Sequence, residues 1–167
     1  MAILDIRKYG DPVLLAPTKP VDEIDAELER LIEDMIDTMY AADGVGLAAN
    51  QVGVSRRFAV FDLAFVNGLK DEDLLVTINP RIVAREGSQI GEEGCLSLPG
   101  MMADIERPMK VTVRAMSMEG EENEIEGEGL LARAFCHEIE HLEGKLFIDN
   151  LAPNERGALL REYRARL

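Results

Sequence analysis

The 167-residue chain has 2 histidines, and both fall in Phe135-Cys-His-Glu-Ile-Glu-His-Leu142, as His137 and His141. With this glutamate content, two histidines land in a His-Glu-x-x-His arrangement in roughly one shuffling in several hundred. A four-residue separation on a helix puts both imidazoles on one face, about 6 Å apart, close enough to grip one metal ion. Glu138 lies at the edge of that face. A catalytic ion of the zinc type takes three protein ligands and leaves one position for water, so one more donor is needed. Cys95 is the best candidate: it stands in Glu92-Glu-Gly-Cys-Leu-Ser-Leu-Pro-Gly100, where Gly94 lets the backbone approach an ion closely. Without the histidines, Cys95 would read as a small buried apolar residue. The alternative for the histidines, solvated groups beside Glu138, Glu140 and Glu143, is opposed by their apolar neighbours. Leu130, Ala134, His137 and His141 follow the i, i+4, i+7, i+11 rule, which predicts a stripe pointing into the protein.

A third unusual stretch is Asp43-Gly-Val-Gly-Leu-Ala-Ala-Asn-Gln-Val-Gly53, punctuated by Gly44, Gly46 and Gly53. It matches neither the dinucleotide fingerprint nor the lysine-containing phosphate loop, and it holds no basic residue. Taken alone it reads as a glycine-rich turn from helix to strand.

The elements that must position these residues follow from patterning. Pro12, Pro17 and Pro20 make residues 1 to 21 an extended arm that wraps the domain. Ile24, Leu28, Leu31, Ile32, Met35 and Met39 recur at helical spacing and predict an amphipathic helix over 23 to 42, with Asp22 as N-cap and Gly44 as stop. Short β-branched or aromatic runs at 56 to 63, 74 to 78 and 110 to 116 predict strands, and 121 to 128 an exposed strand or a hairpin partner of 110 to 116. Helix-forming residues fill Leu130 to Leu142 up to Gly144, and Pro153 opens a last amphipathic stretch to Leu167. Helices segregated from strands favour an α+β fold: small antiparallel or mixed sheets packed around a central His-Glu-x-x-His helix, flanked by an N-terminal amphipathic and a C-terminal helix. One domain over 1 to 167 is expected from the length.

Composition removes several classes of function. With 32 acidic against 18 basic residues the net charge is -14, which repels DNA and anionic membranes. No apolar run approaches the roughly 20 residues that span a bilayer, and charges at the N-terminus do not suit a signal peptide, so a cytoplasmic protein is expected. Its 2 cysteines, Cys95 and Cys136, cannot build a disulfide framework.

Taken together, Gly44-Val-Gly-Leu-Ala-Ala-Asn-Gln51, Glu93-Gly-Cys-Leu-Ser97 and His137-Glu-Ile-Glu-His141 resemble the motifs GxGLAAxQ, EGCLS and HExxH of the peptide deformylase family, in the same order. The proline-rich arm, the acidic helix, Ile78-Asn-Pro80 and Leu142-Glu-Gly-Lys-Leu-Phe-Ile-Asp149 are also similar to that family, so the resemblance covers nearly the whole chain. It implies metal-dependent hydrolysis of the formyl group from N-formylmethionyl peptides, releasing formate. It implies that Cys95, His137 and His141 bind the metal, with water or hydroxide as the remaining ligand. Glu138 would be general base and acid, and the Gln51 side-chain amide and the Leu96 backbone N–H would donate to the oxyanion. Gly46 would let the substrate backbone lie close, and Val45, Leu130 and Ala134 would wall the methionine pocket. Cysteine and imidazole donors serve Zn, Fe, Co and Ni alike; the resemblance favours Fe(II), with Zn(II), Ni(II) or Co(II) able to substitute.

Some positions depart from the commonest family pattern. Cys136 replaces a frequent glutamine and, turned about 100° from His137, is expected to be a thiol that either packs in the core or supports the metal ligands from outside. Glu140 replaces a frequent aspartate and is expected to reach an arginine such as Arg107. Asn150 stands where arginine is common. Arg156, Arg161, Arg164 and Arg166 in the tail suit either a solvated helix or, as in some family members, a contact with the ribosome. Two rival readings share the helix motif. A small metalloprotease would take a downstream His, Glu or Asp ligand, and no third histidine exists. A structural metal module would need a fourth protein donor, for which Cys136 is the candidate.

Overall fold

The structure is a computed structural model that describes residues 2–64 and 73–167. After a 3₁₀ turn at Pro12–Leu14 comes α1 (Ala26–Ala41). Strands β1 (Gly46–Ala48), β2 (Phe58–Asp62), β3 (Leu74–Glu86), β4 (Gln89–Cys95), β5 (Leu98–Arg107), β6 (Lys110–Met116) and β7 (Glu122–Glu128) follow. The chain closes with α2 (Leu130–Leu142) and α3 (Pro153–Ala165). Among the described residues the strands form a five-stranded sheet in the order β1-β2-β3-β6-β7 and a β4-β5 hairpin, and every pairing is antiparallel. This is the α+β architecture that segregated helices and strands predict.

The alternation of β2 explains how the sheet holds two helices. Phe58 and Val60 point to one face and join Leu28, Ile32, Met35 and Met39 of α1. Ala59 and Phe61 point to the other and join Ala132, Phe135 and Ile139 of α2. A strand covered on both faces reads as an unbroken apolar run, which is what Phe58-Ala-Val-Phe61 is. Phe61 and Phe135 meet edge to face at 5.1 Å between centroids, pinning α2 to the sheet. A third cluster packs Leu98, Met101 and Ile105 of β5 against Phe147, Ile148, and Leu160 and Tyr163 of α3.

Several boundaries differ from the sequence reading. The first helix starts at Ala26 because Asp25, rather than Asp22, caps it: its Oδ1 accepts from the Leu28 N–H at 2.9 Å. The strand expected over 74–78 runs on to Glu86, crossing Asn79-Pro80 by a register shift that a search for regular alternation cannot see. The β4-β5 hairpin was not predicted, since the glycines and Pro99 of its turn region disguise two strands as a loop. The acidic 121–128 segment is β7, paired with β6 and offset by cations such as Arg114, 2.8 Å from Glu124. The N-terminal arm does wrap the molecule, and its hydrogen bonds fall on the segments that carry chemistry: Arg7 N–H to Gln51 O at 2.7 Å, Tyr9 N–H to Ser97 O at 2.8 Å, and Thr18 N–H to Leu142 O at 2.9 Å.

Candidate metal centre

Three segments converge on one point. The Cys95 thiol and the ring nitrogens of His137 and His141 offer donor atoms that all lie within 4.8 Å of one another. Cys95 Sγ is 3.2 Å from His141 Nε2, and the two imidazole centroids are 4.9 Å apart, as one helix face requires. Cys95 closes β4 and is presented by the sharp Leu96-Ser97 turn, whose Ser97 N–H points at the sulfur from 3.4 Å. Burial opposes ionisation of Cys95, but the adjacent His141 and His137 overcome it and hold the thiol well below its ordinary range, in the thiolate form that binds metals. His141 is wholly buried, and its Nδ1 finds no partner among the described residues. A buried thiolate and two imidazoles without a shared cation are costly; the donor set fits a divalent ion of the zinc or iron kind.

The supporting groups are as specific as the donors. His137 Nδ1 lies 2.9 Å from Glu93 Oε1, which fixes the ring and leaves Nε2 to the metal side. Glu93 is in turn held by Arg107 through two hydrogen bonds of 2.8 and 2.9 Å and by Arg133 Nη1 at 2.6 Å. Burial would raise the Glu93 pKa, but Arg107 and His137 outweigh it and hold it at about 2. Glu93 is a functional residue to which its Glu-Gly-Cys-Leu-Ser motif alone assigns no role. Glu93 and Cys95 stand two residues apart on β4, a strand period that becomes usable only once this segment is known to be a strand. Glu138 is buried beside the donors, and its Oε1 has no partner among the described residues. Desolvation raises its pKa against the pull of His137 and His141.

Gln51 sits in the 3₁₀ turn Ala49–Val52 behind β1, anchored by its Oε1, which accepts from Ala48 N–H at 3.0 Å. Its Nε2 is thereby aimed at Cys95 Sγ (3.8 Å) and Ser97 Oγ (3.4 Å). Neighbouring Asn50 donates to the His141 carbonyl, tying this turn to α2.

Comparison with known proteins agrees with this geometry. The polypeptide deformylase family model matches residues 3–157. The chain belongs to the polypeptide deformylase family. It is 56% identical to a peptide deformylase of Caldanaerobacter subterraneus over 90% of this chain and 91% of that protein. The crystal structure of a peptide deformylase from Legionella pneumophila superposes with a TM-score of 0.90 at 46% identity, covering 98% of this chain and 95% of that one. A peptide deformylase from Synechococcus elongatus, solved in complex with actinonin, has a TM-score of 0.90 at 41% identity, covering 97% and 88%.

The remaining site residues can be placed on this deformylase frame. A cavity of about 710 Å³ opens beside Cys95, His137 and Glu138. Val45, Gly46, Gln51, Leu96, Leu130 and Ala134 all line it. The predicted stripe therefore needs correction at its start: Leu130 is 47% exposed and faces the cavity, while Ala134 lines the cavity and also packs against the core cluster. The buried apolar face of α2 is carried by Ala132, Phe135, Cys136, Ile139 and Leu142, so the helix has two apolar sides and a stripe alone could not say which was dry. Gly46 proves tied to Glu138: a β-carbon there would lie 2.9 Å from Glu138 Oε2 and 3.2 Å from Phe61 Cδ1. Cys136 packs in the core, burial pushes its thiol up, and it is outside the donor cluster. Arg107 does reach Glu140, at 2.8 Å, and Asn150 Nδ2 supports the same carboxylate from 3.1 Å.

Proposed function

We infer that this chain hydrolyses the N-formyl group of formylmethionyl peptides, releasing formate and a free amine, with Cys95, His137 and His141 holding one divalent metal ion. The observation that carries the reading is the convergence of these three donors at a cavity that is also lined by the Gln51 amide and by a buried Glu138, whose Oε1 has no partner among the described residues. When bound, such an ion supplies Lewis acidity, bringing hydroxide within reach near neutral pH. Glu138 accepts the proton of the attacking water and returns one to the departing amine, work suited to a carboxyl whose pKa burial has raised. Gln51 Nε2 and the Leu96 N–H donate to the oxygen of the attacked formyl carbonyl as it gains charge. Val45, Leu130 and Ala134 wall the space for the methionine side chain, and the β-carbon-free surface of Gly46 lets the substrate backbone lie close.

An open metal site suits catalysis better than structure, because the donor cluster has three members and a structural site is normally closed by four. Iron(II) is the native metal in this reading, with Zn(II), Ni(II) or Co(II) able to substitute; matched iron and zinc forms prepared without oxygen should differ in turnover, and equal rates would refute the preference. Residues 1 to 167 act as one catalytic domain in the cytoplasm, where nascent chains carry formylmethionine. Among the described residues no helix is long and apolar enough to cross a membrane. The exposed Arg161 and Arg164 of α3 would meet the ribosome, while Leu160 and Tyr163 dock the helix. Reversing both arginine charges should weaken ribosome binding and spare turnover of free peptides; unchanged binding would remove that partner. The activity itself is tested by formate release from formyl-Met-Ala-Ser with acetyl-Met-Ala-Ser as control. Selective cleavage of the formyl peptide is expected, and no formate from a fully metallated chain would overturn the reading.

A further inference from the structure

The N-terminal arm reaches both segments that carry the oxyanion donors. The Arg7 N–H donates to the Gln51 carbonyl at 2.7 Å, and the Tyr9 N–H donates to the carbonyl of Ser97, the residue after Leu96, at 2.8 Å. N–H groups two residues apart on an extended chain point the same way and stand about 7 Å from each other, so the arm sets a fixed spacing between the two segments. Neither segment could set it alone. Gln51 lies in a four-residue 3₁₀ turn after a three-residue strand, and Leu96 lies in the tight turn between β4 and β5. Among the described residues no backbone hydrogen bond joins 49–53 directly to 95–98, which leaves the arm as the main-chain bridge between them.

The bridge is closed and seated at both ends. Gln51 Nε2 lies 3.4 Å from Ser97 Oγ, so the arm, Gln51 and Ser97 form a ring of contacts whose members move together. The Arg7 guanidinium lies against Gly53, which ends the Gln51 turn at a φ of +86°; a β-carbon there would stand 2.8 Å from Arg7 Nη2. Arg7 Nη1 pairs with Asp11 at 3.2 Å, and Tyr9 meets Tyr163 of α3 edge to face at 6.3 Å between centroids. Ile6 and Lys8, which alternate with these two residues, border the catalytic cavity, so the bridge runs along the edge of the site.

Resting on the deformylase reading, we propose that residues 6–9 are a strap that fixes the distance between the two oxyanion donors, with the backbone N–H groups of Arg7 and Tyr9 as the positioning groups. The strap acts through Gln51 and Leu96, whose Nε2 and N–H must both point at one oxygen as it gains charge. A displacement of about 1 Å in a positioned group can lower the rate about a hundredfold, and a two-point backbone tether prevents it.

The test uses the metal-loaded full chain and formyl-Met-Ala-Ser. Arg7→Pro removes one donor from a segment that is already extended, and it should lower kcat about tenfold to a hundredfold while KM and metal content stay within about twofold of the parent. Arg7→Ala keeps the N–H and should restore kcat to within about threefold of the parent. Asp5→Pro, at an exposed position whose N–H makes no hydrogen bond among the described residues, should leave kcat unchanged. In a Gln51→Leu background Arg7→Pro should lower kcat by no more than about threefold, because one of the two spaced donors is already gone. An unchanged kcat in Arg7→Pro, an equal loss in Asp5→Pro, or a loss that multiplies in full with that of Gln51→Leu overturns the proposal. Should Arg7→Pro fail to fold, Tyr9→Pro removes the other donor and is judged by the same outcomes. Amide exchange of the parent reads the two bonds without turnover: the Arg7 and Tyr9 amides should exchange at least about tenfold more slowly than that of Asp5, and equal exchange overturns the strap. If the parent released no formate, the activity reading would fail separately. The strap would then stand on Arg7→Pro speeding exchange at 49–53 and 95–98 together, and fall if either segment were unaffected.

Discussion

Replacing Glu93 by glutamine tests how the histidine donor is held. The carboxylate accepts from Arg107, Arg133 and His137, and both guanidiniums are almost wholly buried. Holding this carboxyl at about 2 instead of the ordinary 4.5 corresponds to about 3 kcal/mol of stability at neutral pH. That agrees with the 3–5 kcal/mol typical of removing one partner from a buried ion pair. The sign follows from the direction of the shift. The stabilisation is fully present above about pH 4.5 and fades as pH falls toward about 2. In urea unfolding of the chelator-treated protein, Glu93→Gln should therefore lose about 3 kcal/mol at about pH 7 and roughly half of that or less at about pH 3. Zinc affinity, read by chelator competition, should fall about 10- to 100-fold because His137 loses its ionised partner. A loss under about 1 kcal/mol at neutral pH, a loss independent of pH, or zinc affinity within about twofold of the parent would refute this account of Glu93.

Three other perturbations separate the parts of the site. Gly46→Ala should lower kcat by roughly tenfold to a hundredfold with metal content unchanged, because the new methyl displaces the Glu138 carboxylate; an unaffected kcat would show that the carboxylate has room to spare. Gln51→Leu should lower kcat by about a hundredfold to a thousandfold in steady-state formate assays, and a change confined to KM would assign Gln51 to binding alone. Asp62 is buried, yet the backbone N–H groups of Asp73 and Ala64 and the Tyr40 hydroxyl together outweigh desolvation and hold it below the ordinary carboxylate range. Its stabilisation is present above that range and lost on acidification, so thermal unfolding of Asp62→Asn should be less sensitive to acid, and an unchanged pH profile would contradict the assignment.

The donors were legible in the sequence because helical spacing is rigid: His137 and His141 had to share a face, and Cys95 was the thiol outside their helix with a glycine beside it. Gln51 and Leu96 were legible only through resemblance, since nothing local says that a glycine-rich turn will lie over the sulfur. Glu93 went unassigned because its importance comes from Arg107 on a strand and Arg133 on α2, partners 14 and 40 residues away. The β4-β5 hairpin was obscured by its own function, as the turn that presents Cys95 needs residues untypical of strands. The part of Gly46 in accommodating Glu138 is a contact between β1 and α2 that appears only once Phe61 and Phe135 have docked the helix on the sheet.

In the proposed reaction Glu138 moves the protons while Cys95, His137 and His141 hold the ion. The most direct test of this division of roles is formate release from formyl-Met-Ala-Ser by the parent and Glu138→Gln, prepared without oxygen, with metal measured on the same samples. Equal metal content and a fall in turnover of about a hundredfold to ten-thousandfold are expected in the variant. A variant that keeps its metal and most of its turnover would contradict it.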